Sequence, residues 1–267
     1  MKILILSLII TLVITLIGFR RTVWFISIGY TASIVACSIF FLFYRHSDFK
    51  LFNYLQVLLL ITWGGRLGYY IIKRESDSNY NSSVKDETDN SQQLSLIVKT
   101  GIWVSVSLLY VCMFSPAVFT LNVYAGSYLA MKITAYSGLL IMAAGVVIEA
   151  IADRQKSGFK KNNPKSFCNV GLYEWVRCPN YLGEILVWTG SYVCAVPFFG
   201  SWWQWLVSSI GLLCIVLIMM GSAKRLEKKQ SYSYGKNSDF QKYVRSVPIL
   251  FPWVRVYSLQ NIKVYLE

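Results

Sequence analysis

Histidine is nearly absent from this 267-residue chain: His46, between Arg45 and Asp48, is the only one. It falls in a short polar connection. With no second histidine, neither a Ser-His-Asp triad nor a multi-histidine metal or haem centre can be assembled, and no other metal site is expected. Acid is scarce too, with 13 Asp and Glu against 26 Lys and Arg and a formal charge of +13. The six cysteines, Cys37, Cys112, Cys168, Cys178, Cys194 and Cys214, form no CxxC pair. Four lie in apolar runs and read as small buried residues. Neither a Walker nor a GxGxxG motif occurs, so a bound nucleotide would not use a Rossmann or P-loop domain.

What is abundant is apolar sequence: 55% of residues are hydrophobic and the mean hydropathy is +0.47. A spanning helix needs about 20 mostly apolar residues. Seven runs qualify, at roughly 3–18, 22–44, 51–72, 97–120, 128–151, 183–200 and 203–222. The first is longer than a signal-peptide core, has no small-x-small cleavage site and leads through Arg20 and Arg21 into the next run, so it is read as a transmembrane helix. The expectation is an all-α integral membrane bundle of about seven helices.

Basic residues then report orientation, because Lys and Arg collect on cytoplasmic loops. With the N-terminus outside, 21 of the 26 fall on one side, including the six from Arg154 to Arg177 and the nine from Lys224 to Lys263. The basic excess is therefore mainly a topology signal, and a nucleic-acid partner loses its motive. The C-terminus is expected in the cytoplasm. Residues 1–72 form a three-helix part and 97–267 a four-helix part. Between them, 73–96 reads as a flexible polar linker, its Glu75–Gln93 stretch rich in Ser, Asn and Asp.

Charge inside a membrane is costly and points to function. Apart from Lys99 at the edge of the fourth, spans 1 to 4 hold one charged residue, Arg66, within Trp63-Gly64-Gly65-Arg66-Leu67-Gly68. Two readings stay open: the glycines allow close helix packing or approach of a ligand, and Arg66 either serves that ligand or snorkels to lipid phosphates. A transporter reading lacks the acidic relay it needs in those spans.

Polar residues concentrate between Glu149 and Glu184. Glu149, Asp153, Lys156 and Lys160 recur at helical spacing, acidic at depth and basic outward, if the fifth helix continues past the membrane boundary. After Asn162-Asn163-Pro164 breaks that helix, the chain reads Gly171-Leu172-Tyr173-Glu174-Trp175-Val176-Arg177-Cys178-Pro179-Asn180-Tyr181-Leu182-Gly183-Glu184. Pro179 suits a helix start, which places Asn180 and Glu184 on one face. A helix beginning with Asn, Gly and Glu needs polar partners, and its free N–H groups suit a phosphate, with Lys160, Lys161, Lys165 and Arg177 near in sequence.

From Glu149 to Trp253 the chain resembles the C-terminal domain of the steroid 5-alpha-reductase superfamily, most closely its uncharacterised membrane-protein branch. The matching residues are Glu149-Ala150-Ile151-Ala152-Asp153-Arg154-Gln155-Lys156, Gly171-Leu172-Tyr173, Arg177-x-Pro179-Asn180-Tyr181-x-Gly183-Glu184, Leu226-Glu227-Lys228, and Tyr243 before Pro248 and Pro252. The Trp63–Gly68 stretch is similar to that branch's third helix. The resemblance implies NADPH held at the cytoplasmic end and hydride reduction of a carbon–carbon double bond in a lipid-like substrate. It assigns cofactor contacts to Asp153, Asn180 and Glu184, and phosphate to Lys160. Arg177, Tyr181 and Glu149 lie in the same motifs and join the candidate cofactor site. Two departures stand out. Cys178 replaces the branch's usual histidine, and spans 1 to 4 have no Glu to polarise a substrate carbonyl, leaving Tyr69, Tyr70 or Tyr110 as candidate phenols.

Isoprenylcysteine-type methyltransferases, which use S-adenosylmethionine, share a similar Gly-x-Tyr-x-x-x-Arg-x-Pro segment and form the rival resemblance. Their last helix is commonly followed by paired Glu, whereas this chain has the single acid of Leu226-Glu227-Lys228-Lys229. A non-enzymatic lipid-binding bundle is the third reading. The expected setting is a bacterial inner membrane or the endoplasmic reticulum, with membrane lipids and a lipid-like substrate as partners.

Overall fold

The computed structural model describes residues 1–76, 94–122 and 128–262. The heart of the expected linker, 77–93, lies outside them. The described residues form eight α-helices and no strand: α1 Lys2–Thr15, α2 Ile28–Arg45, α3 Leu51–Glu75, α4 Leu96–Phe119, α5 Tyr128–Asn162, α6 Pro179–Ala195, α7 Trp202–Tyr234 and α8 Ser238–Ser246. Six helical stretches are long and apolar enough to cross a membrane. The chain is an all-α, multi-pass membrane bundle.

The expected span at 183–200 is corrected in register. Its helix, α6, starts four residues earlier at Pro179 and stops at Ala195, because Pro197 sits in the 3₁₀ turn Val196–Phe198 that follows. At 17 residues it is about 26 Å long, short of a ~30 Å hydrocarbon core. By contrast, α5 and α7 run to 35 and 33 residues, well past their apolar parts. Glu149, Asp153, Lys156 and Lys160 therefore share one unbroken helix.

The described chain packs as two units, and α5, α6 and α7 contribute residues to both. The first comprises Met1–Leu139 and Ser191–Gly211. Its α1 is apolar outside and polar inside: Ser7, Thr11 and Thr15 are buried, while Ile5, Ile9 and Val13 are exposed. Lipid accepts the aliphatic face, and small hydroxylated residues let backbones approach. Thr15 Oγ1 meets Ser107 Oγ at 2.9 Å, Asn53 donates to Thr120 Oγ1 at 2.7 Å and Gln56 to Ser191 Oγ at 3.1 Å. Gly64 and Gly68 pack against Thr31 of α2, and a Cβ on Gly64 would lie 2.7 Å from Val35. Those two glycines serve helix packing, while Gly65 faces open space.

The second unit comprises Leu140–Gly190 and Leu212–Glu267. Its centre is the crossing of α5 and α6. A Cβ on Gly145 would fall 2.6 Å from the Gly183 carbonyl oxygen and 2.7 Å from Val187 N, and one on Gly183 would fall 2.7 Å from Glu149 N. The pairings of 145 with 187 and 149 with 183 define an antiparallel register. Carried one turn further, that register sets Asp153 opposite the Pro179–Asn180 start of α6.

Candidate functional site

Glu149, Asp153 and Glu184 are buried to 2%, 6% and 7% exposure, although all three are acids. Acids are almost never buried without polar partners, so their position marks a constructed polar site. Asn180 Oδ1 is also buried and accepts no hydrogen bond from any described residue. The register that brings Glu149 onto Gly183 puts Asn180, one turn earlier on α6, at the same end of the crossing as Asp153. Tyr181 is half-buried on the first turn of α6. Four of the expected residues, Glu149, Asp153, Asn180 and Glu184, thus belong to one helix crossing.

Arg177 occupies a different environment. Its Nη2 pairs with Glu227 Oε1 at 3.1 Å, with the side chains 2% and 3% exposed, and also donates to the Tyr257 carbonyl. Glu227 Oε2 accepts from Leu259 N at 2.9 Å. The backbone around Arg177 is tied to the same tail, Arg177 N to Pro248 O and Cys178 N to Ile249 O, both at 3.0 Å. Arg177 is thereby the anchor of the C-terminal segment, and only its buried Nε lacks an acceptor. In the sequence Arg177 reads as a phosphate ligand, and nothing in the basic stretch around Glu227 marks that acid as its counter-ion.

Lys160 is engaged as well. Its Nζ donates to the Ser166 carbonyl at 2.6 Å and to Tyr234 Oη at 2.7 Å, closing the turn after α5. Lys161 and Lys165 are exposed.

The motif residues between these points form a docking lattice. Gly171 has φ +60°, a backbone conformation that selects glycine, and a Cβ there would displace the Gln155 amide, 2.2 Å away. Gln155 Oε1 accepts from Leu172 N at 3.0 Å, and Tyr243 donates to the Tyr173 carbonyl at 2.7 Å. Burial raises the Tyr243 phenol pKa and pushes the Cys178 thiol up to about 11, with Lys156 and Arg177 pulling the thiol back only in part. Burial raises Cys168 too. Both cysteines of this loop are free, protonated thiols.

The three candidate phenols belong to the first unit. Tyr110 is buried and donates to the Phe25 carbonyl at 2.7 Å, Tyr69 is 68% exposed, and Tyr70 is half-buried with the Arg74 guanidinium 5.8 Å from its ring.

A bundle of long apolar helices, with acids and an amide oxygen buried where α5 crosses α6, is a multi-pass membrane protein with a polar site. The family described as "Protein of unknown function (DUF1295)" matches residues 13–247, and the chain belongs to it, within the steroid 5-alpha-reductase-like group. The steroid 5-alpha-reductase DET2 of Gossypium hirsutum is 34% identical over 93 residues, which are 34% of this chain and 33% of that protein. The match thus covers about a third of the relative's length. No solved structure matches the chain significantly.

Proposed function

We propose that the protein is a membrane-embedded reductase that holds NADPH along Glu149, Asp153, Asn180 and Glu184 and reduces a carbon–carbon double bond of a steroid- or isoprenoid-like lipid. The observation that carries this reading is Asn180 Oδ1, a buried acceptor with no donor in the described chain. Such a group costs about 1–3 kcal/mol unless a ligand satisfies it. Arg177 Nε, three residues away, is a buried donor in the same condition. A carboxamide N–H suits the unsatisfied Asn180 Oδ1. The carboxylates of Glu149, Asp153 and Glu184 accept hydrogen bonds from ribose hydroxyls or from the amide. Lys161 and Lys165 are exposed cations for phosphate, whereas Lys160 and Arg177 already hold protein acceptors. NADPH, when bound, supplies the hydride.

Of the three candidate phenols, Tyr110 directs its hydroxyl proton at the Phe25 carbonyl. The methyltransferase alternative calls for paired Glu after the last helix; the single acid here, Glu227, is bound to Arg177 and Leu259 N.

Thermal unfolding of the purified protein in detergent is the test. NADPH raises the midpoint, and Asn180→Ala and Glu184→Ala each weaken that rise. Stabilisation by S-adenosylmethionine without NADPH would replace the reductase with the methyltransferase. No response to either nucleotide favours a lipid-binding bundle.

A further inference from the structure

A cleft opens along the α5 extension, between α5 and α7. It has a volume near 160 Å³ and is lined by Lys156 and Lys160 from α5, Lys229, Ser233 and Tyr234 from α7, and an aromatic floor that includes Phe167. No acid lines it. Pockets that engulf a whole cofactor or drug-sized molecule run to about 300–1,000 Å³. This one has room for a single headgroup.

Its depth follows from the helices that build it. The apolar part of α5 ends at Ala152 and that of α7 at Ala223. Lys156 is then about 6 Å and Lys229 about 9 Å past those ends along the helix axes. A bilayer of ~40–45 Å with a ~30 Å hydrocarbon core has headgroup layers of about 5–8 Å. Lys156 therefore stands within the headgroup layer and Lys229 at its outer edge, on the side where basic residues collect. Lys160 is fixed in place by Ser166 and Tyr234. Basic pockets between transmembrane helices at this level hold acidic headgroups.

We propose that this cleft is a binding site for an anionic phospholipid, with the headgroup phosphate seated between Lys156 and Lys229 and hydrogen-bonded by Ser233 or Tyr234. Leu226 lines the cleft toward the apolar part of α7, on the path the acyl chains follow. The lipid fastens the extensions of α5 and α7 together.

The test uses the full chain in mixed micelles, without NADPH. Phosphatidic acid raises the unfolding midpoint, whereas phosphatidylcholine of the same chains does not. The combined Lys156→Gln and Lys229→Gln variant loses at least about tenfold in apparent lipid affinity. Lys228→Gln, one residue outside the cleft, retains it and controls for general surface charge. Equal stabilisation by the two lipids overturns the proposal, as does an equal loss in Lys228→Gln. Inorganic phosphate matching phosphatidic acid at the same concentration overturns the lipid as its source. Displacement of the lipid by NADPH would assign the cleft to the cofactor instead. A negative result leaves the reductase reading standing, since that reading depends on NADPH and Asn180.

Discussion

Arg177 and Glu227 form an ion pair at 3.1 Å with both side chains almost completely buried. They lie 50 residues apart, just before α6 and on α7. Glu227 adds Leu259 N and Arg177 adds the Tyr257 carbonyl, so one pair fixes two helices and the C-terminal segment. The segment is further stitched by Ile249 N to Val256 O at 2.9 Å.

Breaking this pair from one side strands a buried charge. Glu227→Ala is expected to destabilise the protein by about 3–5 kcal/mol, and Arg177→Met by a similar amount. Replacing both with apolar residues removes the stranded charge and recovers much of the loss. Thermal unfolding of the two single variants and the double variant in detergent measures the coupling. Additive losses would mean that the two side chains act independently.

The crossing of α5 and α6 predicts a contrast between glycines. A methyl group on Gly183 would press on Glu149 N and the Gly145 oxygen at 2.7 and 2.8 Å, both backbone atoms that cannot step aside. Gly183→Ala therefore costs about 1–3 kcal/mol and, by displacing Glu149, weakens NADPH stabilisation. Gly65 meets nothing within 4 Å. Gly65→Ala is expected to be neutral or to add up to about 1 kcal/mol through helix propensity. Unfolding midpoints for the two variants decide this directly.

Six of the seven spans were legible because a run of about 20 apolar residues has few other uses. Glu149, Asp153, Asn180 and Glu184, which meet at one helix crossing, stood out as candidates for the converse reason, since polar groups at such depth need a cause. Arg177 was legible as important but not in its role. A cation's counter-ion is fixed by tertiary packing, and Glu227 sits 50 residues away with no periodicity linking them. In the sequence Gln155 and Tyr243 are only letters of a motif. Their function, docking Leu172 N and the Tyr173 carbonyl, depends on the left-handed turn at Gly171. The end of α6 was misplaced because hydropathy does not register the stop imposed by Pro197.

Asn180 allows stability and binding to be separated. Asn180→Leu removes the donorless buried oxygen, so the ligand-free protein is expected to hold or gain about 1 kcal/mol. The same change removes the amide that the cofactor would meet, and NADPH then gives no rise in midpoint. Unfolding with and without NADPH measures both effects. Loss of stability in the free variant together with normal NADPH stabilisation would show that the amide serves packing alone.

Cys178 gives a pH dependence of definite sign. Its thiol is raised from 9.0 to about 11 because burial disfavours the thiolate. A group raised on folding stabilises the native state fully below its unfolded pKa. That contribution is lost as pH climbs from about 9 toward 11, where the unfolded chain ionises first. Tyr243, also raised by burial, acts in the same direction at still higher pH. Stability should therefore fall through this alkaline window, and less steeply in Cys178→Ala. The same burial keeps thiolate scarce, so at pH 8 a maleimide modifies Cys178 far more slowly in the folded protein than after denaturation, read by mass spectrometry. Rapid labelling of the folded protein would mean that this thiol is exposed and ionises like an ordinary cysteine.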